Sequence, residues 1–480
     1  MHKHLLMLGV AALTACSLGT YDYAPCTSNV QCRDAFGFAN VCNTDGYCEA
    51  APANKRCTEA WPSDLLTRPE NYTGTYIIGS LYDHSTDVPE TLATQLPIIE
   101  VNDYGGLEGH DFGMVQCDYA EDLGLDDLSA DEATTAGALY LAETVGVAAI
   151  IGPATSSQAQ TAYNALHDET TDSDVVFISP SATSTSLTTI DGVKPSDDAP
   201  GLFWRTAPPD DLQGKVIAQL VSDDPRGLHR VVALHEAGPY GQGLYEAFDL
   251  NYDGDSTELT FADQSSMIES LTTSTEGYDA VLFFASDVAA IAAFLNAATS
   301  LDYYSDMPIF LSDAARDVDL LDQASRARPL FSNITGTAPG AVSGDVYDAF
   351  AAAYGAQYEP DSSASDSSYT PYCFDATWLA LYGSAWSYYT EESVISGTGI
   401  ARGLRHISNP AVGEADDIIL RPTSWANLLA NAQAAADINV LGASGKLDYD
   451  PATGETSGPI DVWKINDAGN GFDTIDTVEP

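Results

Sequence analysis

Residues 148–189 read AAIIGPATSSQAQTAYNALHDETTDSDVVFISPSATSTSLTT, and they carry one beat twice. A short apolar run (148–151) ends in Gly152-Pro153 and small hydroxyl residues, and a helical stretch (157–167) follows. A second apolar run (175–178) ends in Ser179-Pro180-Ser181-Ala182-Thr183, and another helix starts over 185–189. Short strands apolar on both sides, alternating with helices, belong to a parallel sheet covered on both faces. The beat extends in both directions. Upstream stand an apolar run at 76–81, an apolar-periodic stretch to Val101, a turn at 102–106 and a strand at 112–116. Downstream come helices at 212–221, 243–250 and 289–298, with strands at 231–234, 280–284 and 308–311. One sheet cannot hold so many units. The expected fold class is α/β: two Rossmann-like, doubly wound lobes. No fixed-period internal repeat is present, and the Ser/Asp-rich stretch 361–368 reads as a solvated loop insertion.

With 480 residues, 45% of them apolar, the chain has ample core for two such lobes. Lys and Arg number 18 against 70 Asp and Glu, a net charge of −52. A field of that sign repels phosphate backbones, so nucleic acid is excluded as a partner. The acid is dispersed in clusters such as Asp122, Asp126, Asp127, Asp131 and Glu132. That pattern fits a salt-rich medium, where self-repulsion is screened, or an ordinary acidic exported protein.

Export is written at the N-terminus. Weakly basic residues 1–4 precede an apolar run at 5–13, too short for a bilayer, which needs ~20 apolar residues. Leu13-Thr14-Ala15-Cys16 looks like a bacterial lipobox, so residues 1–16 are expected to be a lipoprotein signal peptide ending in the lipidated Cys16. Ser17 stands where an Asp would resemble an inner-membrane retention signal, which points to the outer membrane. The expected location is the cell envelope, lipid-anchored and facing the periplasm or the cell surface.

Seven further cysteines fit an oxidising compartment. Cys26, Cys32, Cys42 and Cys48 are spaced C-x5-C-x9-C-x5-C and read as a two-bridge knot with three possible connectivities. Structural zinc prefers tighter pairs. Cys57 and Cys117 could pair, which would leave Cys373 as a buried thiol. Residues 17–73 are accordingly a Cys-rich segment and tether.

No catalytic signature stands out: G-x-S-x-G, H-E-x-x-H and G-x-G-x-x-G are absent, and the eight histidines do not cluster. Gly442-Ala443-Ser444-Gly445-Lys446 ends like a phosphate loop, but Val440 and Leu447 replace the required Gly and Ser/Thr. Residues 249–255 (DLNYDGD) match half of a calcium loop, yet Thr260 occupies the position of the bidentate Glu, so an acidic turn is the better reading. No metal or cofactor is expected. Four strand-end loops remain. Thr155-Ser156-Ser157 and Ser181-Ala182-Thr183 precede helices, where free amides and hydroxyls favour an anion. Tyr240 and Asp313 supply an aromatic lid and a carboxylate at two further strand ends. An amino acid presents the matching carboxylate, ammonium and side chain. Taken singly, each Ser, Thr or Asp is equally well a helix cap.

In order along the chain, several motifs resemble the type I periplasmic binding proteins, and more narrowly the branched-chain amino-acid (leucine/isoleucine/valine) binding family. They are Gly105-Gly106-Leu107-Glu108-Gly109, Ile151-Gly152-Pro153, Ile178-Ser179-Pro180-Ser181-Ala182-Thr183 with Leu187-Thr188, Phe203-Trp204-Arg205-Thr206-Ala207-Pro208 and Gln213-Gly214. Tyr240-Gly241-Gln242-Gly243-Leu244, Gly445-Lys446-Leu447-Asp448-Tyr449-Asp450 and Val462-Trp463-Lys464-Ile465 complete the set, over roughly residues 74–466. The resemblance implies two lobes joined by a three-segment hinge, with crossovers near 206–210, 335–340 and 441–446. Lobe I is then 74–207 plus 338–441, and lobe II 208–337 plus 442–480. By motif match Ser156, Ala182 and Thr183 hold the ligand carboxylate and ammonium, Tyr240 is the second-lobe aromatic, and Asp313 pairs the ammonium. Asp287 or its neighbour Ser286 lines the cleft as well. Thr155 replaces a cysteine found in some members, and Asp313 stands where the family has the longer Glu, which changes ligand size or reach.

The implied role is a non-catalytic solute-binding lipoprotein for an amino-acid-like or small amide ligand, delivering to an ABC-type importer permease. A sensing or scavenging outer-membrane lipoprotein, with a sensor kinase as partner, is the alternative. A structural or adhesive surface protein with a non-binding cleft is the third reading.

Overall fold

A computed structural model describes residues 25–480 apart from 122, 169, 170, 172, 195, 341–343 and 408–416. The leader, Cys16 and Ser17 lie outside the described residues. Thirteen strands form two large sheets. In chain order the first sheet takes β1 (Glu59–Trp61), β2 (Tyr76–Tyr82), β3 (Phe112–Asp118), β4 (Ala149–Ile151), β5 (Val176–Ser179) and β6 (Phe203–Arg205). The second takes β7 (Arg230–Glu236), β8 (Asp255–Phe261), β9 (Ala280–Phe284), β10 (Ile309–Leu311), β11 (Ile334–Pro339), β12 (Ile460–Ile465) and β13 (Phe472–Val478). Five helices border or brace the space between the two sheets: α1 (Val88–Asp103), α2 (Ser156–Leu166), α3 (Asp210–Ser222), α4 (Pro239–Asp249) and α5 (Thr370–Thr390).

The first sheet runs β1-β3-β2-β4-β5-β6, parallel except at β1; the second runs β8-β7-β9-β10-β11-β12-β13, parallel up to β11. Each parallel part reverses its winding once, at β2 and at β7. The loops leaving the strands diverge there and open a crevice at their carboxyl ends. The doubly wound α/β class read from the sequence is present in both sheets. Strand β2 is buried along its last five residues, as expected for a strand covered on both faces.

Helix α5 is the largest buried element: all residues from Thr370 to Ser387 are buried. Its Asp375 accepts from the backbone N–H of Ala443 (2.8 Å) and Ser444 (2.7 Å) and from the Ser444 hydroxyl (2.5 Å). Burial nevertheless raises its carboxyl to about 7. This contact corrects one boundary. Residues 442–456, assigned from the sequence to the second lobe, stay with the first: Ser444 on Asp375, Tyr449 against Trp204 (5.3 Å between ring centres) and Glu455 paired with Arg205. The chain enters the second sheet only at Ile460, so the crossing lies at 457–459 and not at 441–446. The crossing expected near 335–340 is strand β11 itself, and the chain leaves the second sheet after Pro339.

The Cys-rich segment is a short helix (Asn29–Phe36) on a hairpin (Asn40–Cys42 with Cys48–Ala50), closed by Cys26–Cys42 and Cys32–Cys48. Arg33 Nη1 (2.5 Å) and Asn29 Nδ2 (3.1 Å) donate to the Glu143 carbonyl and dock it on the first lobe. Cys57–Cys117 ties the tether to β3, and Cys373 is the buried free thiol. The tether is therefore not separate from the lobe, since β1 within it extends the first sheet. Among the described residues no helix is long and apolar enough to cross a membrane.

Replacing Asp375 by Ala leaves two buried amides without an acceptor, and such groups cost about 1–3 kcal/mol each. The variant is expected to lose roughly 3 kcal/mol in chemical denaturation, and unchanged stability would refute this role for Asp375.

Candidate functional site

The strand-end loops of both sheets face one another across a cavity of about 460 Å³. The lobes touch at its rim. Ser184 Oγ donates to the Pro239 carbonyl at 2.7 Å, linking the loop after β5 to the start of α4. Gly238 caps α4 at φ +126°, a region that favours glycine, and a Cβ there would lie 3.0 Å from Ser157 Oγ on the opposite lobe.

Asp313 sits at the end of β10 and is 4% exposed. Three neutral donors hold it: Gln213 Nε2 from α3 (3.0 Å), Tyr369 OH from the head of α5 (2.5 Å) and Tyr240 OH from α4. Burial first, and Asp313 second, push both tyrosine hydroxyls well above their usual range, so they stay protonated and donate. Among the described residues no lysine, arginine or histidine pairs with Asp313. Arg316, the one basic residue of the cavity wall among the described residues, pairs with Asp461 of β12 (2.9 Å) and donates to Thr474 Oγ1 of β13 (2.7 Å).

On the first lobe, Ser156 opens α2 in the wall, its Oγ accepting from Ser184 N at 3.1 Å. Thr155 caps that helix by accepting from Gln158 N (3.3 Å). The structure corrects two residues of this loop. Ala182 and Thr183 are fully buried behind the wall, and Ser181 lines it instead. The cause is Arg205, whose Nη1 binds the carbonyls of Ala182 (3.2 Å) and Ser184 (2.7 Å) and turns that stretch inward. Thr183 instead offers its carbonyl to Asp210 N (2.9 Å) at the hinge. Burial, then the neighbouring Asp313, hold the Asp210 carboxyl well above its usual range. Asp287 and Ser286 both line the cavity. Asp287 also caps its helix through Ala289 N (2.9 Å), and Ser286 donates to Glu236 through N (2.9 Å) and Oγ (3.1 Å). In the 249–255 turn, Asp249 accepts from the Ser256 hydroxyl.

Several wall residues went unread in the sequence. Asp83 and Asp87 follow β2 and Tyr119 follows β3, so the strand-end rule alone could have found them. Glu90 stands on α1, where no local signal marks it. The 361–368 stretch is not a solvated insertion: Ser362, Ala364 and Ser367 are buried, and Ser367, Ser368 and Tyr369 form part of the wall.

A cleft of this build, between two doubly wound lobes, has counterparts among known proteins. Residues 90–407 match the receptor family ligand binding region. The chain belongs to that family. No curated protein matches the sequence significantly. Among solved structures, the branched-chain amino acid substrate-binding protein LivJ of Streptococcus pneumoniae, in complex with isoleucine, is similar at 20% identity and TM-score 0.62, over 85% of this chain and 100% of that one. The leucine-binding protein LivK of Thermotoga maritima is similar at 17% identity and TM-score 0.62, over 85% and 99%. A fatty acid ABC transporter substrate-binding protein of Thermomonospora curvata is similar at 17% identity and TM-score 0.60, over 85% and 93%. These likenesses establish the type I periplasmic binding protein fold and leave the ligand open. A receptor family ligand-binding region is defined by binding, and the reading of this chain as a binding protein rather than an enzyme stands on that match.

The cavity of this ligand-binding region holds protons. Burial raises the half-buried Asp87 to about 7, with Asp83 adding to it, and raises Glu90 to about 8, with Asp87 adding. Burial likewise lifts Glu236 to about 7 against its two bonds from Ser286, and Asp317 to about 6. In the unfolded chain these groups ionise at 3.8 to 4.5. The folded state therefore binds more protons between those values and about 8, and the stability they contribute, full in acid, is lost as pH rises through 7 to 8. The ligand-free melting temperature is expected to fall from pH 6 to pH 9, and Glu90→Gln to flatten the slope. Calorimetry showing a rise over that interval would refute the assignment.

Proposed function

We propose that this chain is an extracytoplasmic solute-binding lipoprotein, anchored through Cys16, that closes on a small amine-bearing, amino-acid-like solute and presents it to an ABC-type importer. One observation carries the reading: Asp313, buried between the lobes, accepts from three neutral donors and has no cationic partner among the described residues. A buried carboxylate with hydrogen bonds but no counter-ion is a prepared seat for a cation. The opposite wall supports the other half of an amino acid. Ser156 and Ser157 begin α2, where unpaired amides and the helix dipole favour a carboxylate. Ala182 and Thr183 keep a supporting role, fixing the loop that carries Ser181 and Ser184. The contacts across the rim fit capture by closure of two lobes about a hinge. Three disulfides agree with an oxidising compartment.

The test is a thermal-shift screen of the purified protein against amino acids, amides and small amines. A ligand at 100 times its Kd adds about 2.7 kcal/mol of stability. Asp313→Asn is expected to weaken the hit roughly 30-fold or more, because truncating one partner of a buried charge pair costs at least about 2 kcal/mol. Undiminished affinity in that variant, with its own fold intact, would remove Asp313 from the site.

A further inference from the structure

The cavity wall contains 26 residues, of which eight are acidic and one, Arg316, is basic and already paired outside the cavity. That is twice the acidic fraction of the whole chain, 70 in 480, so the general acidity of the sequence does not account for it. Six of the eight carboxyls fall into two groups on opposite walls. Asp83, Asp87 and Glu90 belong to the end of β2 and the start of α1 on the first lobe; Glu236, Asp287 and Asp313 belong to the strand ends of the second. Within each group the members act on one another electrostatically: Asp83 on Asp87 and Asp87 on Glu90, then Asp287 and Asp313 on Glu236.

Glu90 gives the second, independent sign. It is 8% exposed, and although the Ser367 hydroxyl acts on this carboxyl, its Oε2 is buried with no hydrogen-bond partner among the described residues and lies in the wall of a polar cavity. An acceptor left in that state costs stability unless something from the cavity reaches it. A divalent metal ion is a poor occupant. Among the described residues no three of these carboxylates bring oxygens within 4.8 Å of one another; the one such group is Cys26, Cys32 and Cys42, already consumed in disulfides. Charge spread along two facing walls fits charge spread along a ligand.

Resting on the binding reading above, we propose that the solute carries two positive charges on a short flexible chain, one at Asp313 beneath Tyr240 and Tyr369, the other at Asp87 and Glu90. A dibasic amino acid and a linear diamine share that chemistry. They differ in the carboxylate that the start of α2 would take.

Titration calorimetry of the full chain tests this with L-lysine, 1,5-diaminopentane, L-norleucine, pentylamine and calcium chloride. Lysine and 1,5-diaminopentane are expected to bind at least about tenfold more tightly than norleucine and pentylamine, which lack the second ammonium. Glu90→Gln should close most of that gap, and Asp87→Asn serves the same purpose if Glu90→Gln fails to fold. Lysine binding more tightly than 1,5-diaminopentane assigns a dibasic amino acid; the reverse order assigns a diamine. Norleucine or pentylamine binding as tightly as its dication overturns the two-charge inference and leaves the amine-binding reading standing. Calcium displacing lysine one for one overturns it in favour of a metal site. No heat with any amine overturns both readings.

Discussion

Asp313 is one carboxylate, carried on one strand and reached by three other parts of the chain, and the cleft is organised around it. It is carried by β10; Gln213 reaches it from α3, Tyr240 from α4 and Tyr369 from the head of α5. Those elements meet where the chain crosses between lobes: α3 starts just after the first crossing, and Tyr369 packs with Tyr372 and Ala207 of the hinge. A buried anion without a counter-ion is expensive; Gln213 and Tyr240 offset part of that cost from Asp313's own lobe, and Tyr369 adds its share only when the lobes are together. Through Tyr369, site geometry and the approach of the two lobes are linked. Whatever cation enters strengthens the state that encloses it.

Legibility in the sequence divides along physical lines. The stretch 148–189 could be read because its strands are too short and too apolar to be anything but buried, and because Gly152-Pro153 and Ser179-Pro180 punctuate them. Helix α5 could not be read in the same way. It is buried on every side from Thr370 to Ser387, so it lacks the one-sided pattern that marks a helix in sequence. Tyr240, Asp313, Ser156 and Asp287 all reach the cavity, since each lies at a strand end or the helix start that follows it, and that rule is local. Ala182 and Thr183 turn inward through contacts that are not local: Arg205, itself held by Glu455 from the far end of the chain, takes the carbonyls of Ala182 and Ser184, and Asp210 N takes that of Thr183.

Composition misled at 361–368. Ser, Ala and Asp in that density belong as a rule to solvated loops, because they bury too little apolar area to fold alone. Here the stretch does not fold alone. Ala364 sits in the core beside α5, the Ser362 hydroxyl meets Tyr354 OH at 2.7 Å, and the backbone at Ser367 bridges to Asp317 of the other lobe. Small polar side chains suit a wall that must bring two backbones together across a cleft.

A cavity with so many carboxyls raises the question of how the empty protein tolerates them. Protons resolve it. Asp87, Glu90 and Glu236 are raised to about 7 or 8 by burial, and near neutrality each carries a proton for much of the time. The proton removes the charge that burial disfavours, and it leaves when a cation arrives to favour the ionised form. On the proposed binding of a cation, ligand and protons compete for the same groups, and binding releases protons. The −52 charge of the chain acts differently, since its exposed carboxylates remain ionised and are screened by salt. On that reading only the enclosed carboxyls exchange a proton for a ligand charge, which separates them from the acid that merely covers the surface.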